Sequence, residues 1–290
     1  SRGLGDVYKR QAATTPAPAA SVSVAVTTPA PAVTLDVASP LGAPAVTTEE
    51  LWRHVDELEE HIHYGADMLQ FVRTCTDNIH RLCTGEPASD VYKRQEGNMD
   101  VARAVYAENL SSRYLNTVLV AGVKARVRQV VENPELRPLR IMEAGAGVGA
   151  STASIVEWLR SVDAFTPDEN GVPAVEYIFS DLTTFFLDTA RELWPELQYQ
   201  IFDINRPHTE QGIADASIDL LIGVNVFHNC PNMVQLLTNL HGMLAPGGQL
   251  AATESTVPSP VLMSTVEFQE GLSSSAFTDV REETKTAFMT

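Results

Sequence analysis

The sequence has few cysteines and no long apolar run. Its three cysteines, Cys75, Cys83 and Cys230, are odd in number and are not spaced like metal ligands. So few cysteines favour a reducing, cytoplasmic setting. No apolar run approaches the roughly 20 residues that a membrane span needs. The N-terminus lacks the basic and apolar stretches of a signal peptide.

Basic residues are also scarce. The chain carries 20 Lys and Arg against 37 Asp and Glu, which gives a formal net charge of −17. Nucleic acid binding requires a basic face, so no nucleic acid partner is expected. The 290 residues are enough for one sizeable α/β domain and a smaller companion.

One hexapeptide, Asp-Val-Tyr-Lys-Arg-Gln, occurs at 6–11 and again at 90–95. The neighbouring residues share no further similarity, so the two copies are not a structural repeat. One back-translation of the hexapeptide resembles the transposon end that is used to prepare sequencing libraries. We therefore interpret residues 1–11 and 90–95 as translated adapter that has displaced or joined native sequence. Chance recurrence is the alternative.

The first half of the chain divides into a linker and a helical region. Residues 12–45 are mostly Ala, Pro, Val, Thr and Ser, which predicts an extended or disordered linker. A Thr-Thr-Glu-Glu sequence at 47–50 is typical of a helix start, and apolar residues recur at helical spacing to about Leu82. A second helix is predicted over 98–132. We expect residues 46–136 to form a helical lid subdomain.

From residue 137 onward, predicted strands alternate with predicted helices. The strands are Arg140–Ala144, Val175–Ser180, Tyr199–Asp203, Leu220–Val226 and Gln249–Thr253, and the helices are Ala150–Val162, Thr184–Leu193 and Met233–Leu244. This alternation predicts an α/β fold with a parallel sheet covered on both faces. Because the chain stops at Thr290, we expect the C-terminal strands of the 137–290 core to be truncated.

Three glycines follow the first predicted strand and open a helix. They are Gly145, Gly147 and Gly149, in Leu139-Arg-Ile-Met-Glu-Ala-Gly-Ala-Gly-Val-Gly149. Glycines here allow positive φ and let the backbone approach a ligand closely. The loop fits S-adenosylmethionine (SAM), and it also fits a dinucleotide if Ala150 is counted as the last position. A plain tight turn is the structural alternative.

Three acidic residues favour SAM. Glu143 lies two residues before Gly145, where its carboxylate is expected to receive the methionyl amino group. Asp181 ends the second predicted strand and is expected to accept both ribose hydroxyls; its distance from Gly145, 181 − 145 = 36 residues, exceeds the roughly 20 of the dinucleotide pattern. Asp203 ends the third predicted strand and is expected to bond the adenine amino group. An Asp at a strand end is otherwise a turn residue or a helix cap.

Several segments together resemble the C-methyltransferase domains of polyketide synthases and hybrid polyketide–peptide synthetases. They are Glu143–Gly149, Tyr177–Phe186, Phe202–Ile204 with Gln211-Gly212, Val224–Asn229, and Leu244–Gly248 followed by Thr253-Glu254. The resemblance extends upstream through Ala107–Asn116 and covers about residues 50–290. It implies the Rossmann-like fold of class I SAM-dependent methyltransferases, with SAM as the cofactor.

The resemblance implies methylation of the α-carbon of a β-ketoacyl thioester. The base of the family, a His–Glu pair, corresponds here to His228 and Glu254. Both residues follow adjacent predicted strands, so they are also expected within hydrogen-bond reach for that reason alone. Imidazole titrates near neutral pH and can remove a moderately acidic proton, while a carboxylate fixes its tautomer. The structural alternatives are a core-edge histidine and a surface carboxylate.

Other residues are assigned more loosely. Leu182, Ile204 and Asn225 lie in the matching segments and are assigned to the cofactor site. Tyr114 and Asn116, in the helical region, are expected to close over the acceptor, with core packing as the alternative for Tyr114. No metal is expected, because His61 and His63 are two apart and point in different directions on a helix.

The implied partners are an acyl carrier protein with its phosphopantetheine-linked β-ketoacyl chain, and neighbouring synthase domains; no membrane is expected. Three alternatives remain. An O- or N-methyltransferase of a small molecule shares the SAM site but needs no carbon-acid base. A non-catalytic scaffold domain predicts an eroded glycine loop or a lost His–Glu pair. A nicotinamide oxidoreductase fits the glycines but not Glu143 or the position of Asp181.

Overall fold

The computed structural model describes residues 46–84, 86, 103–256 and 277–284. The interpretation of 1–11 and 90–95 as adapter, and of 12–45 as linker, concerns residues outside this part of the chain. Across the described ranges, no helix is both long enough and apolar enough to cross a membrane.

The N-terminal region is helical, but its helices are shorter than the predicted ones. They are α1 (Thr48–Ile62), α2 (Ala66–Asp77), α3 (Ile79–Cys83), a π-helix (Ala104–Glu108) and α4 (Leu110–Glu132). Helix α1 begins at the expected place, because the Thr47 side chain accepts a bond from the Glu50 amide and the Glu50 carboxylate accepts one from the Thr47 amide.

Two local conformations divide the predicted long helices. His63 adopts the left-handed region at φ 51° and ends α1. Asn109 is extended, at φ −73° and ψ 158°, and separates the π-helix from α4. Its side-chain oxygen accepts a bond of 2.9 Å from the Ser112 amide, so it caps α4. Apolar periodicity continues across both breaks, which is why spacing alone did not reveal them.

Helix α4 packs on the sheet and contributes to the main hydrophobic core. The division into a helical lid subdomain over 46–136 and a core over 137–290 stays a prediction. Val123, Val127 and Val130 are buried in one cluster with Leu139 and Ile141 of the first strand. If α4 lifted off the sheet as a lid, these side chains would be exposed to water. The free-energy cost would be about 25 cal/mol for each Å² of apolar area exposed. Helices α2 and α3 build a small cluster of their own.

The second half of the chain forms the predicted parallel α/β sheet. Its elements are β1 (Leu139–Ala144), α5 (Ala150–Ser161), β2 (Val175–Asp181), α6 (Thr184–Leu193), β3 (Gln198–Ile201), β4 (Ile218–Val224), α7 (Met233–Met243) and β5 (Leu244–Thr253), followed by the short helix α8 (Val280–Thr284). The five strands are parallel in the order β3-β2-β1-β4-β5. The expected truncation beyond them stays a prediction.

Strand β1 lies at the centre of the sheet and packs on both faces. Leu139 and Ile141 face the layer that contains α4 and α5, whereas Met142 and Ala144 face the layer that contains α7. Both sets are buried, as expected for a central parallel strand between two helical layers. This packing holds the carboxyl end of β1, where the glycine loop begins, in place.

Strand register brings the functional segments to one edge. Ala144 pairs with Gly223, and Val224 pairs with Thr253, so β1, β4 and β5 end side by side. On the other side, Asp181 at the end of β2 pairs with Ile201. Ligands of open α/β sheets bind at these carboxyl ends.

Candidate active site

The glycine loop runs from the end of β1 into α5. Gly145, Gly147 and Gly149 all have positive φ, at 63°, 54° and 73°. A side chain at Gly145 would collide with Val226, in the loop that follows β4. A Cβ at Gly147 would meet only the Gly145 carbonyl oxygen, at 3.9 Å, so this part of the loop offers open space for a ligand.

Glu143 lies beneath this loop, and its surroundings differ from the expected ones. It is 1% exposed. Its carboxylate accepts hydrogen bonds from the Ser151 hydroxyl, from Thr152 Oγ1 at 2.5 Å and from the Tyr177 hydroxyl at 2.5 Å. Burial raises the pKa of this carboxyl group, and the three hydroxyls oppose the rise. Through these hydroxyls, Glu143 joins β1, β2 and the start of α5. Its expected contact with a methionyl amino group stays a prediction.

Asp181, at the end of β2, also holds the glycine loop. Its Oδ2 accepts a 3.0 Å bond from the Gly147 amide, and its Oδ1 accepts a 3.1 Å bond from the Thr183 amide. Burial raises the pKa of Asp181 to about 6, although these amide bonds act in the opposite direction. A carboxylate has about four acceptor positions, so two amides leave room for ribose hydroxyls.

The other residues that are assigned to the cofactor site follow the ends of β2, β3 and β4. Asp203 follows β3 by two residues instead of ending it, and its Oδ1 accepts a 2.9 Å bond from the Asn205 amide. It therefore stabilises a turn, and its expected bond to the adenine amino group stays a prediction. Ile204 is buried in the core, and Leu182 is half-buried after Asp181. Asn225 follows β4 with φ 50°, and its amide donates to the Thr253 carbonyl at 2.8 Å.

The structure brings His228 and Glu254 together. His228 lies in a 3₁₀ turn, Phe227–Asn229, and its Nδ1 is 2.8 Å from Glu254 Oε2. The other oxygen, Oε1, accepts bonds of 2.7 Å from the amides of Val226 and Phe227. The imidazole is 9% exposed. One carboxylate thus fixes both the turn and the histidine ring.

Tyr114 and Asn116 do not share a face of α4. Tyr114 is 67% exposed, whereas Asn116 is buried and its Nδ2 donates to the Tyr106 carbonyl at 3.4 Å. His61 and His63 are exposed at the end of α1. In the part of the chain that the structure describes, no group of three His, Cys, Asp or Glu side chains could hold a metal ion.

Sequence reasoning missed the groups that support the predicted residues. Ser151, Thr152 and Tyr177 enclose Glu143, and Arg281 donates to the carbonyls of His228 and Cys230. Tyr177 is the first residue of one of the segments that resemble the family, and it lies at a buried position of the alternating pattern on β2. These two features could have indicated that it is part of the site. Nothing in the spacing pointed to Arg281.

Known proteins match the chain at this site. A family described as "Methyltransferase domain" matches residues 142–250. The highly reducing polyketide synthase valA of Aspergillus terreus is 40% identical over 156 residues, which are 52% of this chain and 6% of that protein. The chain spans 6% to 10% of the first curated relatives that it matches.

Solved structures share the fold over most of the chain. The CurJ carbon methyltransferase is 25% identical, with a TM-score of 0.67, and the match covers 85% of this chain and 61% of that one. The trans-methyltransferase CalH, solved in complex with SAH, is 22% identical, with a TM-score of 0.61 and coverage of 84% and 64%. The glycine loop, the strand order and these matches agree: residues 142–250 match a methyltransferase domain, and the chain has the fold of class I SAM-dependent methyltransferases and is similar to carbon methyltransferases such as CurJ.

Proposed function

We propose that this chain methylates the α-carbon of a β-ketoacyl thioester. The acyl chain is held on the phosphopantetheine arm of an acyl carrier protein, within a cytoplasmic polyketide or hybrid synthase. The observation that carries the proposal is the 2.8 Å contact between His228 and Glu254 beside the glycine loop. Methylation of oxygen or nitrogen does not require a base for a carbon acid, whereas this reaction does.

The residues around the glycine loop fit SAM. Gly147 leaves open space, the Asp181 carboxylate keeps acceptor positions for ribose hydroxyls, and Asn225 lies at the end of the neighbouring strand. We assign Leu182, and in a looser way Asp203 and Ile204, to the adenosine side. Glu143 is assigned to holding the loop rather than to direct contact, because its carboxylate is enclosed.

The His228–Glu254 pair has the arrangement of a general base. When Nδ1 donates to Glu254, the neutral ring carries its lone pair on Nε2, which can take the α-proton of the acyl chain. Glu254 then stabilises the imidazolium. SAM supplies an electrophilic methyl group on its sulfonium. His228 would take the α-proton and keep it, and the methyl group would pass from the sulfonium to the α-carbon, with S-adenosylhomocysteine as the leaving group.

The proton step can be measured apart from methyl transfer. In D₂O with SAH present, the protein should speed the exchange of the α-protons of a β-ketoacyl thioester, and His228→Asn should remove this effect. The same variant should lose methyl transfer by about a hundredfold or more. Its affinity for SAM, followed by calorimetry, should stay within about twofold. If His228→Asn still methylates carbon at the normal rate, the base lies elsewhere.

The chain provides a matched control histidine. His208 is buried, and its Nε2 lies 2.8 Å from Asp215 Oδ1, so it is also a histidine–carboxylate pair. It lies in the 3₁₀ turn before β4, away from Glu254. His208→Asn should retain α-proton exchange. If the wild-type protein transfers the methyl group to oxygen or nitrogen instead of carbon, the O- or N-methyltransferase alternative is correct. If SAM binds but no acceptor is methylated, the scaffold alternative is correct.

A further inference from the structure

Arg281 is a fully buried cation in the helix α8 segment. It is 0% exposed, and its guanidinium lies 4.1 Å from the centre of the Phe277 ring. Charges are rarely buried without partners, because removing an ion from water costs several kcal/mol. The contacts of this guanidinium therefore indicate what it is buried for.

The contacts converge on the turn that carries His228. Nη1 donates to the carbonyl oxygen of His228 at 3.0 Å, and Nη2 donates to the carbonyl oxygen of Cys230 at 2.7 Å. These carbonyls belong to the residues on either side of Asn229. One rigid planar group thus spans the C-terminal end of the 3₁₀ turn.

Asp279 anchors this guanidinium. It accepts bonds from Arg281 Nε at 2.9 Å and Nη2 at 2.7 Å, in a two-pronged arrangement. Its Oδ2 also accepts a 2.7 Å bond from the Met233 amide at the start of α7. The hydrogen bonds from Arg281 hold the pKa of Asp279 at about 2, so the carboxylate stays charged at neutral pH.

The turn is consequently held from two sides. Glu254 binds its N-terminal amides, those of Val226 and Phe227, and Arg281 binds the carbonyls at its C-terminal end. We propose that Arg281, fixed by Asp279, is a positioning residue that sets the orientation of the His228 ring toward Glu254. This inference rests on the proposed function of His228, because it concerns the geometry of the same base.

Proton NMR can test this geometry without any turnover. A histidine Nδ1–H that donates to a carboxylate resonates far downfield, and the loss of this signal in His228→Asn identifies it. We expect the resonance to shift or broaden in Arg281→Lys, because a single ammonium cannot span both carbonyls in the same geometry. In the same variant, kcat for methyl transfer should fall about tenfold or more, while SAM affinity stays within about twofold.

Arg160→Lys is the matched control. Arg160 makes a similar two-pronged contact with Glu196, at 2.6 Å and 3.0 Å. It lies at the C-terminal end of α5, whereas the glycine loop precedes the N-terminal end of that helix. This variant should leave the His228 resonance and kcat unchanged. If the resonance is present in the wild-type protein and is unaltered in folded Arg281→Lys, the positioning role is wrong while the proposed function stands. If the wild-type protein lacks the resonance, the His–Glu pair itself is wrong.

Asp279→Asn covers the case in which Arg281→Lys does not fold. It keeps the guanidinium and its two carbonyl contacts but removes the charge that anchors them. A smaller displacement of the same resonance and a smaller fall in kcat are expected. An unaltered spectrum and a normal kcat in Asp279→Asn would overturn the proposal.

Discussion

Glu143 and Glu254 lie near the carboxyl ends of two strands of one sheet, yet their surroundings differ. Glu143 is enclosed by three hydroxyl groups, and burial raises its pKa. Glu254 is half-buried and binds two backbone amides and an imidazole. The first carboxylate holds elements of the fold together, whereas the second holds a group that can exchange a proton. One glutamate therefore stabilises the fold, and the other holds the histidine that we propose as the base.

Glu254→Gln should have the largest effect and should act on catalysis alone. The amide keeps an oxygen for the backbone amides but cannot stabilise an imidazolium as a carboxylate does. We expect kcat to fall about a thousandfold, with little change in SAM affinity. Single-turnover methyl transfer measures the first quantity and calorimetry the second. Glu196→Gln, in an ion pair with Arg160, is the control. A loss of folding stability in Glu254→Gln as large as that expected for Glu143→Ala would remove the contrast between the two glutamates.

Glu143→Ala should act on stability. Three buried hydroxyls would lose their common acceptor, so the free energy of unfolding should fall by about 3 kcal/mol. Urea denaturation measures this change. Tyr177→Phe removes one of the three donors and should cost about 1 kcal/mol. A Glu143→Ala protein of normal stability would show that these hydroxyls find other partners.

The raised pKa of Asp181 predicts how the free energy of unfolding depends on pH. Its pKa is raised from 3.8 to about 6 in the folded protein. The buried charge therefore costs nothing below pH 3.8, and the cost grows as the pH rises and is complete above about pH 6. Asp181→Asn removes this cost, so its stability relative to wild type should increase by about 1 kcal/mol between pH 5 and pH 7.5. A difference that is constant across this range would show that Asp181 titrates normally.

Tyr114→Ala should have the smallest effect. The side chain is 67% exposed on α4, so the free energy of unfolding should change by less than about 0.5 kcal/mol. If Tyr114 closes over the acceptor as expected, the KM for the acyl thioester should rise while SAM affinity stays the same. A normal KM would remove Tyr114 from the site.

The succession of strands and helices along the second half of the chain and the meeting of His228 with Glu254 could both be predicted from the sequence. Both follow from local patterns, because alternating strands and helices force a parallel sheet whose carboxyl ends share one edge. Strand ends were less certain: Asp203 was placed at the end of β3 but follows Ile201 by two residues. Helix breaks at His63 and Asn109 depend on backbone conformations that apolar spacing does not encode.

The supporting contacts of Tyr177 and Arg281 could not be predicted. Tyr177 lies 34 residues from Glu143, and Arg281 lies 53 residues from His228. A tyrosine on a buried strand and an arginine near the end of a chain have many possible partners, and only the packed fold selects one. For the same reason, the three hydroxyls that bind Glu143 were not foreseen.

Gly145 packs directly against Val226, with no room for a side chain between them. Val226 also donates one of the two amide bonds that hold Glu254. The glycine loop and the amide that supports Glu254 are therefore mechanically linked through Gly145 and Val226. Under the proposed mechanism, a side chain added at position 145 would therefore act at two places, because it would push on the turn that carries His228 as well as on the glycine loop.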